Sequence, residues 1–98
     1  MAVYVVADLE IINPNEFQKY VQRSVEIVKQ YGGRYLIRGG EAETLEGTWK
    51  PKRLTILEFP TAENVRTWYN SPEYQAIIGF RHRSCNTNLI LGSGGVAP

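Results

Sequence analysis

Ninety-eight residues with eleven Lys and Arg against ten Asp and Glu carry a formal charge of +1, which excludes a strongly basic nucleic-acid binder and an acidic disordered chain. At 43% apolar and 21% charged residues, the composition is that of one soluble globular domain with no room for a second core. No apolar run nears the roughly 20 residues that span a bilayer, Met1-Ala2-Val3-Tyr4 lacks the positive start of a signal peptide, and Cys85 is the single cysteine. A cytoplasmic protein without a disulfide framework, a multi-thiolate metal site or a membrane partner is expected.

The first element, Ala2 to Glu10, is short, apolar and β-branched, which predicts a buried strand. Asn13-Pro14-Asn15-Glu16 then reads as a helix start, with Asn13 as cap, Pro14 in the first turn and Glu16 placed as in a capping box. Phe17, Tyr20, Val21, Ser24, Val25 and Val28 follow at the spacing of one helix face, and Gly32-Gly33 ends the helix. Arg34 to Arg38 sets Tyr35 and Ile37 against Arg34, Leu36 and Arg38, a strand closed by Gly39-Gly40. Glu41 to Pro51 is a long hairpin connection with room for a short strand over Ala42 to Leu45. Lys52 to Phe59 is the third main strand, stopped by Pro60. Thr61 caps a second helix carrying Val65, Trp68 and Tyr69. Asn70-Ser71-Pro72 breaks it, because the residue before proline avoids helical dihedrals, and a further turn or two carries Tyr74, Ile77 and Ile78. Thr87 to Leu91 is the last strand, and Gly92-Ser93-Gly94-Gly95 begins a flexible tail. The domain is expected over 1–92 and the tail over 93–98.

Two βαβ halves of this kind predict an α+β, ferredoxin-like βαββαβ antiparallel sheet with helices on one face. Val3, Val5 and Ala7 would face the helices. Tyr4, Val6, Asp8 and Glu10 would form a half-apolar open face, which needs a cover. A homodimer through that open face, with a small cavity enclosed between the two sheets, is the expected assembly.

Several strings, in this order, resemble one known family. They are Gly32-Gly33-Arg34-Tyr35-Leu36-Ile37-Arg38-Gly39-Gly40, Leu45-Glu46-Gly47-Thr48-Trp49, Arg53-Leu54-Thr55-Ile56-Leu57-Glu58-Phe59-Pro60, Trp68-Tyr69-Asn70-Ser71-Pro72-Glu73-Tyr74, and Arg81. Together they resemble the domain-of-unknown-function 1330 family over nearly the whole chain. The resemblance implies a ferredoxin-like fold of the dimeric α/β barrel superfamily, whose members include cofactor-free monooxygenases, haem-degrading enzymes, muconolactone isomerase and relatives of chlorite dismutase. The family itself has no assigned reaction. Arg81-His82-Arg83-Ser84-Cys85 is more polar than its pattern.

Candidate site residues follow from charge and placement. Arg38, ending a Gly-flanked strand, either clamps a carboxylate bidentately or pairs with Glu46 or Glu58. Asp8 and Glu58, near the ends of two central strands read as parallel neighbours, either come close in an apolar cavity and supply a general acid or base, or each caps a strand end in water or pairs with Arg34 or Arg53. Trp68 is expected to pack on the sheet, while Tyr69 or Tyr74 could turn a hydroxyl into the cavity and Arg81 could approach the same mouth. His82, the only imidazole, is the sole candidate haem ligand or histidine base, and its position between Arg81 and Arg83 predicts a solvated helix end. Cys85 reads as a small, at least half-buried thiol. The glycine pairs lack phosphate-loop and dinucleotide spacing.

The expected activity is that of a small-molecule protein without a bound cofactor or metal. One reading is an isomerase or cofactor-independent monooxygenase acting on a small apolar or carboxylate-bearing metabolite. Arg38 would anchor it and Asp8 or Glu58 would move a proton. The other is a non-catalytic binding or sensor homodimer using the same pocket. RNA recognition, which shares the element order, is excluded by a third strand carrying Glu58 and a single terminal aromatic where stacking aromatics would stand.

Overall fold

The computed structural model describes residues 2–93. The elements run β1 (Val3–Ile11), α1 (Pro14–Gln30), β2 (Arg34–Gly40), β3 (Leu54–Phe59), α2 (Ala62–Tyr69), α3 (Pro72–Ser84) and β4 (Cys85–Ser93). The four strands form one sheet in the order β2-β3-β1-β4, and every neighbouring pair is antiparallel. This is the ferredoxin-like α+β arrangement with the second helical segment divided in two.

Local chemistry accounts for the element ends. The Asn13 side chain accepts the Glu16 backbone N–H at 3.2 Å, and Pro14 opens α1 where no hydrogen bond is lost. The capping box is only half realised. The Asn13 N–H donates to the Ser84 carbonyl at 3.0 Å, fastening the start of α1 to the end of α3, and Glu16 turns to Lys19 at 2.8 Å instead. Gly32, at φ +87°, closes α1 in the left-handed conformation that glycine adopts without penalty. Ser71 serves two helices. Its Oγ donates to the Trp68 carbonyl at 2.8 Å and accepts the Tyr74 N–H at 3.1 Å, so α2 ends and α3 begins on one buried hydroxyl.

The helix-facing side of the sheet builds the core. Val3, Val5, Ala7 and Leu9 of β1 are buried, as are Leu57 and Phe59 of β3. Against them lie Phe17, Ile27 and Val28 of α1, Val65 and Trp68 of α2, and Tyr74, Ile77 and Ile78 of α3. Burying one large apolar side chain contributes about 1.5–3 kcal/mol. On α1 the core takes Ile27, whereas Val25, expected on that face, is half-buried.

Several expectations are corrected. β1 and β3 are antiparallel rather than parallel, with Tyr4 opposite Glu58 and Asp8 opposite Leu54. Bulges between Tyr35 and Ile37 and between Arg38 and Gly40 interrupt β2. They move Ile37 to the open face beside Ile56 and leave Arg38 on the helix side beside Thr55, so the simple alternation fails. No strand forms over Ala42 to Leu45, where the chain is a connection with the Thr44 hydroxyl donating to the Trp49 carbonyl at 2.6 Å. β4 begins two residues before Thr87 and runs two past Leu91, with Gly92 opposite Tyr4 and Ser93 opposite Val3. The rest of the expected tail lies outside the described residues. Among the described residues no helix is long and apolar enough to cross a membrane.

Candidate functional site

Sheet and helices do not close completely on each other. A cavity of about 80 Å³ remains between them, floored by Val5, Ala7 and Leu57 of the sheet and roofed by Phe17, Tyr20 and Ser24 of α1. Trp68 and Arg81 line it as well. It belongs to the single chain and lies on the covered side of the sheet. This is a different space from the one expected between the open faces of two subunits. Strand parity tells which side chains point at the helices, but not whether those side chains fill the space they enter.

Aromatic groups supply much of the wall. Trp68 stacks at a tilt on Tyr74 with ring centres 4.4 Å apart and on Phe59 at 5.3 Å. The Tyr20 and Tyr74 hydroxyls are 2.7 Å apart and hydrogen bonded. Burial pushes both phenols above their ordinary value of 10.0, well above it for Tyr20, and burial raises Tyr35 too. At neutral pH all three are proton donors. The Trp68 indole N–H is buried with no hydrogen-bond partner.

Three guanidinium groups join them. Arg81 is 4% exposed, lies 5.8 Å from the Tyr20 ring centre, and its Nε is buried without a partner. Arg38 sits over the Tyr35 ring at 5.6 Å and Arg53 over the Phe17 ring at 5.7 Å; both line the cavity from the β2–β3 side. Gly39 makes room for Arg53. Its φ is +65°, and a Cβ there would run into the Arg53 guanidinium. The Gly39 N–H donates to Thr55 Oγ1 at 3.1 Å, which fixes the bulge that turns Arg38 inward. No Asp, Glu or His lines the cavity, and none of the ion pairs among the described residues involves Arg38, Arg53 or Arg81.

The predicted site residues thus divide. Arg38 and Arg81 reach the cavity, Arg38 from an exposed position and Arg81 from a buried one. Tyr74 is fully buried behind the wall, with its hydroxyl on Tyr20. Tyr69 is half-buried and lines an outer cleft between α3 and β4, which it shares with Arg81 and Thr87. Asp8 and Glu58 do not come together. Both point to the open face, four register positions apart, about 13 Å at the rise of a strand. Asp8 accepts the Trp49 indole N–H at 3.1 Å and the Lys52 backbone N–H at 2.9 Å. These bonds hold its carboxyl below the usual value of 3.8, so Asp8 clasps the long connection. Glu58 bonds Arg34 at 2.7 Å, and that guanidinium lowers its carboxyl as well. Glu58, one of the two alternative partners expected for Arg38, is thereby taken, and the other, Glu46, is exposed and forms no ion pair among the described residues. His82 is exposed and Cys85 buried. Among the described residues no group of three or more His, Cys, Asp or Glu is placed to hold a metal ion.

Sequence reasoning missed Tyr20 and Arg53 as site residues. The signal for Arg53 was present, since Arg53, Thr55, Leu57 and Phe59 alternate onto one face of the strand read from Lys52 to Phe59.

Comparison with known proteins agrees with this architecture. The family model described as a domain of unknown function, DUF1330, matches residues 2–94. The chain belongs to the DUF1330 family. No match is found among curated proteins. Among solved structures, the methylated RPA0582 protein superposes with a TM-score of 0.79 at 14% identity, over 99% of this chain and 82% of that one; RPA0582 is a protein of unknown function from Rhodopseudomonas palustris. SnoaB, a cofactor-independent oxygenase from Streptomyces nogalater, matches with a TM-score of 0.65 at 10% identity, over 98% of this chain and 95% of that one. A dimeric ferredoxin-like protein of unknown function from Jannaschia sp. CCS1 matches with a TM-score of 0.65 at 13% identity, over 96% of this chain and all of that one. At these identities the likeness establishes the dimeric α/β barrel type of fold, and the family has no activity to lend.

Proposed function

We propose that this DUF1330 chain is a small-molecule protein that works as a homodimer and takes a small apolar or carboxylate-bearing metabolite into the cavity between its sheet and helices. The observation that carries this reading is the make-up of the cavity wall. Apolar and aromatic side chains surround hydrogen-bond donors that have no acceptor among the described residues, the composition expected of a ligand site. A volume of about 80 Å³ is small beside the roughly 300–1,000 Å³ of sites for drug-sized molecules, so the ligand is small.

Among the described residues the wall supplies cations and neutral donors and contains no carboxylate or imidazole. Such a surface stabilises negative charge on a bound molecule and does not remove a proton from it. Proton transfer by Asp8 or Glu58 is therefore set aside. If the protein is an enzyme, its chemistry develops charge on the substrate itself. The likeness to a cofactor-independent oxygenase supports that kind of reaction. A non-catalytic binding or sensor role is the second reading, favoured by the same absence of a base from the cavity wall.

The homodimer is supported by the open face. Val6, Leu54, Ile56 and Ile37 stand there with an exposed Ile90, an apolar surface that a second copy would cover. Light scattering at low micromolar concentration should give twice the chain mass; a monomer at that concentration would overturn the dimer. The cavity is tested by thermal melting against a panel of small alcohols, amides and carboxylates. Compounds that raise the melting point of the native chain should lose that effect in Ser24→Leu, which fills the cavity from α1. Equal shifts in the variant, or no shift from any compound, would overturn the cavity reading.

A further inference from the structure

Arg81 differs from the other two arginines of the cavity. Arg38 is exposed and Arg53 half-buried, so water can solvate both. Arg81 is 96% withdrawn from solvent, at 4% exposure, among the Tyr20 and Tyr74 phenols. Those phenols are neutral at physiological pH, and they accept and donate mainly to each other across 2.7 Å. A buried guanidinium is ordinarily matched by a carboxylate. Here none is within ion-pair distance, and Nε meets no acceptor, among the described residues. The Trp68 indole N–H, on the same cavity, is the second buried donor without an acceptor. The protein thus brings two unsatisfied donors, one of them charged, to a small apolar space with no acid in its wall. An anion with two acceptor oxygens and a short apolar body completes both requirements.

We infer that Arg81 is the anchor of the cavity and that the ligand is a short-chain monocarboxylate, its oxygens on the Arg81 guanidinium and its carbon chain against Val5, Ala7 and Leu57. The inference rests on the cavity reading and narrows it to one ligand class and one anchoring residue, in place of the rim residue Arg38. The planar fork of arginine suits a carboxylate in a bidentate pair, and the apolar surroundings strengthen that pair relative to water. Arg81 lines both the cavity and the outer cleft between α3 and β4, so an anion entering the cleft meets the guanidinium that holds it inside.

Propionate is the probe and propionamide, its neutral near-isostere, the control, each titrated calorimetrically at fixed ionic strength. Propionate is expected to bind at least about tenfold more tightly than propionamide, the order of a charge-assisted hydrogen-bond pair. Arg81→Met should remove that preference, and Arg66→Met, at an exposed position outside the cavity lining, should keep it. In proton NMR, propionate should move the Trp68 indole N–H resonance and leave that of Trp49, which lies on the connection clasped by Asp8. The indole shift needs no variant and stands even if Arg81→Met fails to fold. Equal binding of the two probes, with the Trp68 resonance moving for both, would retain the cavity and overturn the anion anchor. A propionate preference that survives Arg81→Met, or that Arg66→Met abolishes, would overturn Arg81 as the anchoring residue. Absence of binding by either probe would overturn the inference, while the wider panel with Ser24→Leu judges the cavity separately.

Discussion

Replacing Trp68 with alanine is expected to cost about 3–5 kcal/mol, a large share of the roughly 5–15 kcal/mol that holds a typical domain together. Trp68 is 1% exposed and joins three parts of the fold. It packs on Phe59 of β3 at 5.3 Å and on Tyr74 of α3 at 4.4 Å, and its own carbonyl takes the Ser71 hydroxyl that starts α3. The loss is large because the neighbours cannot close in. Phe59 is fixed in the sheet, and the Tyr74 hydroxyl is tied to Tyr20. The space left behind would also merge with the existing cavity, so the void grows instead of collapsing. Urea unfolding should show a lower midpoint with an unchanged slope. Trp68→Phe separates packing from polarity, since it keeps a ring in place while deleting the buried N–H that lacks a partner. A cost within about 1.5 kcal/mol is expected for that exchange. If Trp68→Ala costs no more than Trp68→Phe, the indole is not the keystone described.

Gly33→Ala is the second large effect, and its cause is overpacking. A Cβ at Gly33 would stand 2.6 Å from two carbons of the Phe59 ring and 2.8 Å from Val28 Cγ1, closer than real side chains approach. Phe59 is 0% and Val28 1% exposed, so neither can swing into solvent to make room. The added methyl must push α1 away from β3, and about 1–3 kcal/mol or more is the expected cost. The same displacement widens the seam where the cavity lies. The variant should therefore unfold at lower denaturant and also show faster amide exchange along β3. Native stability in Gly33→Ala would mean that the approach of α1 to the sheet is softer than its geometry implies.

Much of the fold was legible in the sequence because its cues are local. The alternation of β1, the Asn13 cap, Gly32 after α1 and the Ser71-Pro72 restart each depend on a few neighbouring residues, and each forms as read. What failed depends on pairing between distant segments. Whether β1 and β3 run together or oppositely is invisible in either strand alone, and on that point the supposed Asp8–Glu58 pair dissolves. The bulges of β2 need a partner strand to exist at all, although Gly39 marked the place. Arg81 shows both sides of the matter. Its charged company, Arg81-His82-Arg83, reads as solvated surface, and for the exposed His82 that reading holds. Yet Tyr74, Ile77, Ile78 and Arg81 follow the spacing of one helix face, and that phase, rather than local charge, decides its burial. The absence of a carboxylate opposite it could be known only from the assembled structure.

The two outermost strands differ in how they meet a foreign chain. β2 carries two bulges, a left-handed Gly39, and Arg34 and Arg38 on alternate sides, which break the even ladder of backbone groups that an incoming strand would copy. β4 holds an uninterrupted nine-residue register with β1, and its outer ladder is regular. Uncontrolled strand addition, the route by which sheet proteins aggregate, is therefore blocked at one margin of the sheet and open at the other, where Asn86 and Asn88 on the open face and Thr87 on the helix side are the polar residues before the exposed Ile90.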